Sequence, residues 1–197
     1  MTPRPTDVAF TASVKAAQAR KGSRVIYEGM EMGRSLEDLA PFISAVRSFY
    51  LATASAEGQP YIQHRGGPPG FLHVIDDQTL AFADFKGNQQ FISTGNLAEN
   101  PRAYIFLMDY ARRQRIKIWG TARVVEGDAA LEQRLMPEGY RARPEQVILF
   151  EVAAWDSNCP QHIPQMFHAD DVRKALEERD EKIAMLEAEV ASLRRPE

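Results

Sequence analysis

Four stretches of the chain gather side chains that can do chemistry. The first is Gln63-His64-Arg65-Gly66-Gly67-Pro68-Pro69-Gly70-Phe71. A basic strand end running into glycines lets backbone N–H groups approach an anion, and Arg65 adds a two-pronged guanidinium. The same run also reads as a wide hairpin connection, because Gly and Pro punctuate loops generally. The second is Asp84-Phe85-Lys86-Gly87-Asn88, between a strand pattern and a helical one near 89–97. Free N–H donors at a helix start attract phosphate, and Lys86 places a full charge beside them. The spacing of a nucleotide-binding P-loop is absent, and the plainer reading is a loop whose Asn88 caps the helix.

The third stretch, Arg112-Arg113-Gln114-Arg115-Ile116-Lys117, falls on a strand pattern. Alternation sets Arg113, Arg115 and Lys117 on one face and Gln114 and Ile116 on the other. Such a basic strip serves an anionic ligand, or keeps a strand face solvated and guards an edge. The fourth is Trp155-Asp156-Ser157-Asn158-Cys159-Pro160-Gln161-His162-Ile163-Pro164, stiffened by two prolines. Cys159 and His162 suggest a Cys-His pair or metal ligands. One Cys is too few for a closed Cys-rich zinc site, and a lone Cys is commonly a small buried hydrophobe. No metal is expected.

The elements that must hold these groups follow from periodicity. A helix over 7–20 should pack Val8, Phe10 and Val14 on the body. Ser35 opens a second helical pattern carrying Leu36, Leu39, Phe42, Ile43 and Val46. Strand patterns cover 49–54 and 60–65 with a turn at Glu57-Gly58, then 71–75, 79–83, 102–108, 113–125 and 146–153. Gly120 inside the long sixth strand marks a bulge or a close backbone approach, and 128–135 reads as a short helix. About seven short strands with helices at the ends and in two connections imply a mainly β, antiparallel barrel with flanking helices. From Asp171 the apolar residues Val172, Leu176, Ile183, Leu186, Val190 and Leu193 alternate four and three apart once Arg179 fills the gap. That is a coiled-coil-like heptad seam, or equally a terminal helix lying on its own barrel. The organisation expected is a helical arm over 1–34, a barrel domain over 35–168 and a C-terminal helix over 169–197.

Composition narrows the function. The 197 residues carry 24 Lys plus Arg against 27 Asp plus Glu, a net charge of -3. That balance argues against non-specific nucleic-acid binding. No segment reaches the ~18 apolar residues of a membrane span. The N-terminus has basic residues but no apolar block, so it does not read as a secretory signal. The single cysteine precludes an intrachain disulfide. A cytoplasmic protein is the expectation.

Taken together and in this order, the motifs resemble the pyridoxamine 5'-phosphate oxidase-like family of FMN-binding split barrels. The resemblance spans 36–165. It rests on Ile62-Gln63-His64-Arg65-Gly66-Gly67, on Phe82-Ala83-Asp84-Phe85-Lys86-Gly87-Asn88, and on Asn96-Leu97 with Asn100-Pro101-Arg102. The strand Arg115-Ile116-Lys117-Ile118-Trp119-Gly120 and the segment 155–163 complete it. It implies a split barrel working as a homodimer, with FMN at the subunit interface and a small-molecule substrate or electron donor. It implies that Arg65 lies under the flavin phosphate or ribityl chain, and that Gly66 and Gly67 pass the isoalloxazine. Phe82 and Ala83 would flank the ring, Lys86 would meet the phosphate, and Gly87 and Asn88 would share its loop. Gln114 or Arg115 would fill the polar position on the long strand. Trp155, Cys159, Gln161 and His162 would close over the flavin from the partner. Lys117, Arg115 and His162 are candidate donors to the reduced ring.

Two departures bear on the reaction. The family's oxidases carry a Ser-x-Arg-Lys phosphate arrangement and a late Arg-x-His element. Here the loop reads Lys86-Gly87-Asn88, and the late element is absent, so vitamin B6 oxidation is not implied. The reading is an FMN-dependent oxidoreductase whose flavin does the redox chemistry. The alternatives are a flavin-binding or sensing protein without turnover, and an interaction module using the C-terminal helix.

Overall fold

The computed structural model describes residues 4–157 and 160–194, so the expectations placed on Cys159 lie outside the described residues. The N-terminal arm is three short helices, α1 (Pro5–Ala9), α2 (Ala12–Arg20) and α3 (Arg24–Glu28). The single helix expected over 7–20 is interrupted. Thr11 adopts an extended conformation and its hydroxyl accepts the Val14 N–H at 3.3 Å, capping a fresh start. Val8 and Val14 remain exposed rather than packed on the body. Phe10 instead meets Tyr27, ring centroids 5.6 Å apart.

A 3-10 turn over Glu37–Leu39 leads into α4 (Ala40–Ala45), whose first turn holds Pro41 where a missing N–H costs nothing. Leu36, Leu39, Ile43 and Val46 are buried, as their helical spacing predicted. There follow β1 (Ser48–Ala54), β2 (Pro60–Gly66), β3 (His73–Val74), β4 (Thr79–Phe85), α5 (Ile92–Glu99), β5 (Arg102–Asp109) and β6 (Gln114–Val125). The chain ends with α6 (Ala129–Leu135), β7 (Pro144–Ser157) and α7 (Ala169–Leu193). The strands form one antiparallel sheet of seven in the order β2-β1-β5-β6-β7-β4-β3. This is the mainly β, antiparallel class with flanking helices that the strand patterns implied, and it is consistent with the split barrel that the resemblance implied.

The strand expected over 71–75 shrinks to His73 and Val74. Phe71 and Leu72 leave the ladder and turn into the core, each 2% exposed. Phe49 on β1 meets Phe71 at 5.6 Å and Phe82 on β4 at 5.0 Å. Strands near opposite ends of the sheet order therefore share one interior, and the sheet is curled around it. Strand β4 is buried on both faces: Leu80 and Phe82 join the main core, while Ala81 and Ala83 pack with Leu135 of α6. Small residues stand on the outer face because a helix lies on it.

Gly120 sits where β6 and β7 change register. Trp119 pairs with Ala154 and Gly120 with Val152, leaving Ala153 as the extra residue. A Cβ on Gly120 would stand 2.0 Å from the Glu151 carbonyl oxygen and clash with Phe150. The bulge expected at this glycine is thus a close backbone approach as well. None of the described helices is long and apolar enough to cross a membrane.

Candidate functional site

The split in the barrel lies between β2 and β4. Strand β3 pairs with β4 only at Leu80 and Ala81. The β4 edge over Phe82–Phe85 therefore has no strand neighbour on that side among the described residues. From β2, Arg65 reaches Asp84 in an ion pair whose side chains are only 10% and 12% exposed. The other Asp84 oxygen accepts from Gln146 Nε2 at 2.8 Å, and the same nitrogen is 2.8 Å from Thr94 Oγ1. The guanidinium also stands 5.9 Å from the Phe82 ring centroid. Burial pulls the Arg65 pKa below its ordinary value while Asp84 opposes the shift. Arg65 Nε is buried with no hydrogen-bond partner, although a buried N–H ordinarily finds an acceptor.

Gln63, Arg65, Asp84, Gly87, Asn88 and Ser93 help to line a cavity of about 40 Å³ at this place. Small-molecule sites are ordinarily several hundred Å³. One chain therefore supplies a polar corner rather than a whole pocket. Helix α5 starts at Ile92, later than the sequence pattern predicts. Gln89 and Phe91 both take left-handed conformations before it, with φ +57° and +51°. Asn88 does not cap this helix: its Oδ1 accepts the Gln90 N–H at 3.2 Å and forms a local turn. The Lys86 N–H donates to the Arg143 carbonyl at 2.8 Å. Its side chain is exposed and enters no ion pair among the described residues.

The remaining sequence candidates fall elsewhere. Gly67 has a packing reason of its own, since an added Cβ would stand 2.6 Å from Phe71 Cγ. Gly66 would press on the His64 ring at 3.1 Å. The Phe82 and Ala83 side chains are buried, so only their backbone edge faces the split. Arg113 lies in the turn before β6 with φ +53° rather than on the strand. Gln114 is exposed, and Arg115 and Lys117 are half-buried on the outer face of β6. Lys117 pairs with Asp156 at 2.6 Å and stands 5.3 Å from the Trp119 centroid. The Trp155 indole N–H donates to the Ser35 carbonyl at 2.7 Å, and its ring leaves no room for a Cβ on Gly33. That ring is a clasp for the incoming chain. Gln161 and His162 are exposed, the latter at φ +62°. None of Gln114, Arg115, Trp155, Gln161 and His162 lines the Arg65 cavity.

Sequence reasoning missed two features. Gln146 begins the apolar run of β7 yet is 2% exposed; a lone amide beside Val147 and Ile148 was the available signal. The second is an aromatic outer face. Tyr104 stacks on Phe106 at 6.4 Å and meets the Trp119 edge at 5.2 Å, while Tyr50 meets His64 at 5.6 Å. Period-2 alternation of aromatics against Ile105, Leu107, Ile116 and Ile118 carried that signal. Burial, with Asp156 adding to it and Arg115 opposing, pushes the Tyr104 phenol up to about 12.

Over residues 35–159 the sequence matches the profile described as pyridoxamine 5'-phosphate oxidase. The chain belongs to that family. No curated protein matches it. Among solved structures, a variant of HupZ from Group A Streptococcus is 19% identical with a TM-score of 0.50, covering 62% of this chain and 98% of that one. A putative pyridoxamine 5'-phosphate oxidase from Lactobacillus delbrueckii is 17% identical with a TM-score of 0.49, covering 63% and 95%. An FMN-binding protein from Syntrophomonas wolfei is 17% identical with a TM-score of 0.45, covering 75% and 95%. At these identities the likeness concerns the fold alone.

Proposed function

We propose that this member of the pyridoxamine 5'-phosphate oxidase family is an FMN-dependent oxidoreductase, acting as a homodimer on a small molecule. The observation that carries the reading is Arg65. A buried guanidinium at the open edge of the barrel keeps one N–H without an acceptor, and a flavin phosphate or ribityl oxygen is an acceptor of the right chemistry. Lys86, exposed and next in sequence to the lining residues Phe85 and Gly87, would supply the second positive charge, and Gly87 and Asn88 line the cavity. Asp84 and Glu145 at the same place bias the phosphate toward the Lys86 side. Bound FMN would supply electron transfer; the protein's part is to hold it and shape access to it.

Two features support a dimer. The corner around Arg65 is too small to enclose a flavin. The outer sheet face offers Tyr50, Tyr104, Phe106 and Trp119, with Ile62 61% exposed beside them. Aromatic residues of this kind are enriched at interface cores. On this reading Arg115, Gln161 and His162 reach the flavin from the partner.

The test is the absorption spectrum of the purified protein with mass spectrometry of the released ligand. FMN at one per chain is the expected result. FAD is not expected, because the chain has no GxGxxG turn to seat a dinucleotide. A colourless protein that ignores added FMN, or one that yields stoichiometric FAD or haem, overturns the reading. Reduction by NADH or NADPH, with reoxidation by an added acceptor, separates an oxidoreductase from a flavin carrier.

A further inference from the structure

Helix α7 is 25 residues, about 37 Å at 1.5 Å per residue, and none of its residues is buried. It is tied to the barrel at its first turn, where Arg47 lies 3.9 Å from Asp170 and 3.4 Å from Asp171. Beyond that turn Val172, Leu176, Ile183, Leu186 and Val190 form a stripe, each 43–46% exposed. In proteins most helical stability comes from packing an amphipathic face rather than from propensity. The stripe is unpartnered in the single chain, and its own residues bear on what fits it.

Written as heptads, Leu176, Ile183 and Val190 occupy a, while Val172, Arg179, Leu186 and Leu193 occupy d. Over the last two heptads this is the β-branched a with Leu d that favours two parallel strands. The flanking charges select the same arrangement. In a parallel pair, each g residue faces the partner's next e residue. Lys182 then meets the partner's Glu187, and Glu189 meets the partner's Arg194, each twice by symmetry. No like charges face each other at these flanking positions; on the seam itself Arg179 meets the partner's Arg179. In the fully overlapped antiparallel pair, Lys182 still meets the partner's Glu189. However, Asp180 then faces the partner's Glu187, and Arg173 faces the partner's Arg194. Sliding by one heptad places Asp180 against the partner's Asp180, or Glu187 against the partner's Glu187. Arg179 is the polar d residue, the kind that fixes register at a cost in stability; Asp180 stands next to it at e to answer the partner's guanidinium.

We propose that the α7 helices of two copies of this chain pair in parallel and in register along the Val172–Leu193 stripe. The pairing goes beyond the barrel dimer and needs neither it nor flavin. It shares a two-fold axis along the helices, the symmetry of an isologous dimer.

The test uses the full chain carrying Cys159→Ser to remove the native thiol. Leu193→Cys in that background should form a disulfide-linked dimer under mild oxidation, with or without added FMN. Ala188→Cys, on the outward f position, should not. Glu187→Lys should lower the cross-linking yield, and Lys182→Glu added to it should restore the yield. The substitutions lie on an exposed helix, so circular dichroism should report an unchanged fold. Absence of the Leu193→Cys dimer, equal yield at 188, or no charge-swap rescue overturns the proposal. A dimeric mass in the same sample without the disulfide leaves the barrel dimer standing, and flavin absorbance is read separately.

Discussion

Two cation–aspartate pairs, each largely buried, do different work in this molecule. Lys117–Asp156 lies on the outer face of β6 and β7, 23% and 13% exposed, between residues already opposite each other in a ladder. The strands stay paired without it. Arg65–Asp84 joins β2 to β4 where no backbone ladder runs between them. One pair decorates a join that hydrogen bonds have made; the other is itself a join across the split. It also leaves a donor over, Arg65 Nε, as Arg34 Nε is left elsewhere in the fold. The leverage of a charge pair depends on what else connects its two elements as well as on its distance and burial.

The sharpest way to break the comparison is Asp84→Ala. It strands the Arg65 cation against Phe82 and leaves Gln146 without its carboxylate. Breaking a buried pair by removing one partner typically costs ~3–5 kcal/mol. A loss of that order in urea unfolding is expected, with Asp84→Asn costing less because its single carboxamide oxygen still accepts from one of the two neighbours. If Asp84→Ala unfolds no more easily than a change on the outer pair, the split is held by something else.

This join was half legible in the sequence. The motif around Arg65 and the loop at Lys86 were visible as anion-binding chemistry, because basic residues beside glycines are a local signal. That Asp84 turns toward Arg65 was not, since the two are 19 residues apart and only the curl of the sheet brings them together. The strands were legible wherever one face is buried: β1 alternates without a fault from Ser48 to Ala54. Periodicity failed where a polar side chain redirected the backbone, as Thr11 does in the arm, or where aromatic anchors left a ladder, as Phe71 does before β3. Trp155 was read as a flavin cover. The Gly33 backbone that its ring clasps lies more than a hundred residues earlier, beyond any local pattern.

On the ligand side, Lys86 is an exposed cation close to the join in sequence, with no ion-pair partner among the described residues. A hydrogen bond to a charged group contributes ~1.5–3 kcal/mol. Lys86→Ala should therefore weaken FMN about tenfold to a hundredfold in a fluorescence titration and leave the melting temperature of the flavin-free protein unchanged. Lys117→Met should do the reverse in kind, leaving FMN affinity unchanged and lowering stability by less than Asp84→Ala does, because the ladder keeps β6 and β7 paired. Equal effects of the two substitutions on FMN affinity would place the phosphate away from the split.

The smallest effect expected is a pH dependence on the outer face. Burial is the main cause of the raised Tyr104 pKa, with Asp156 adding to it. A phenol ordinarily titrates near 10, and Tyr104 in the folded chain does so at about 12. Below pH 10 the phenol is neutral in both states and its contribution to stability is fully present. As pH rises from 10 to about 12, the unfolded chain loses the proton first. Stability therefore falls across that window. Tyr104→Phe should remove this component from the alkaline limb of a stability profile. Asp156→Asn should lower the Tyr104 titration, followed by NMR, without restoring the ordinary value, because burial remains. A Tyr104 that titrates normally in the wild-type chain would mean that the outer face is wetter than its aromatic packing implies. The contrast with the buried join would then be one of hydration as well as of connectivity.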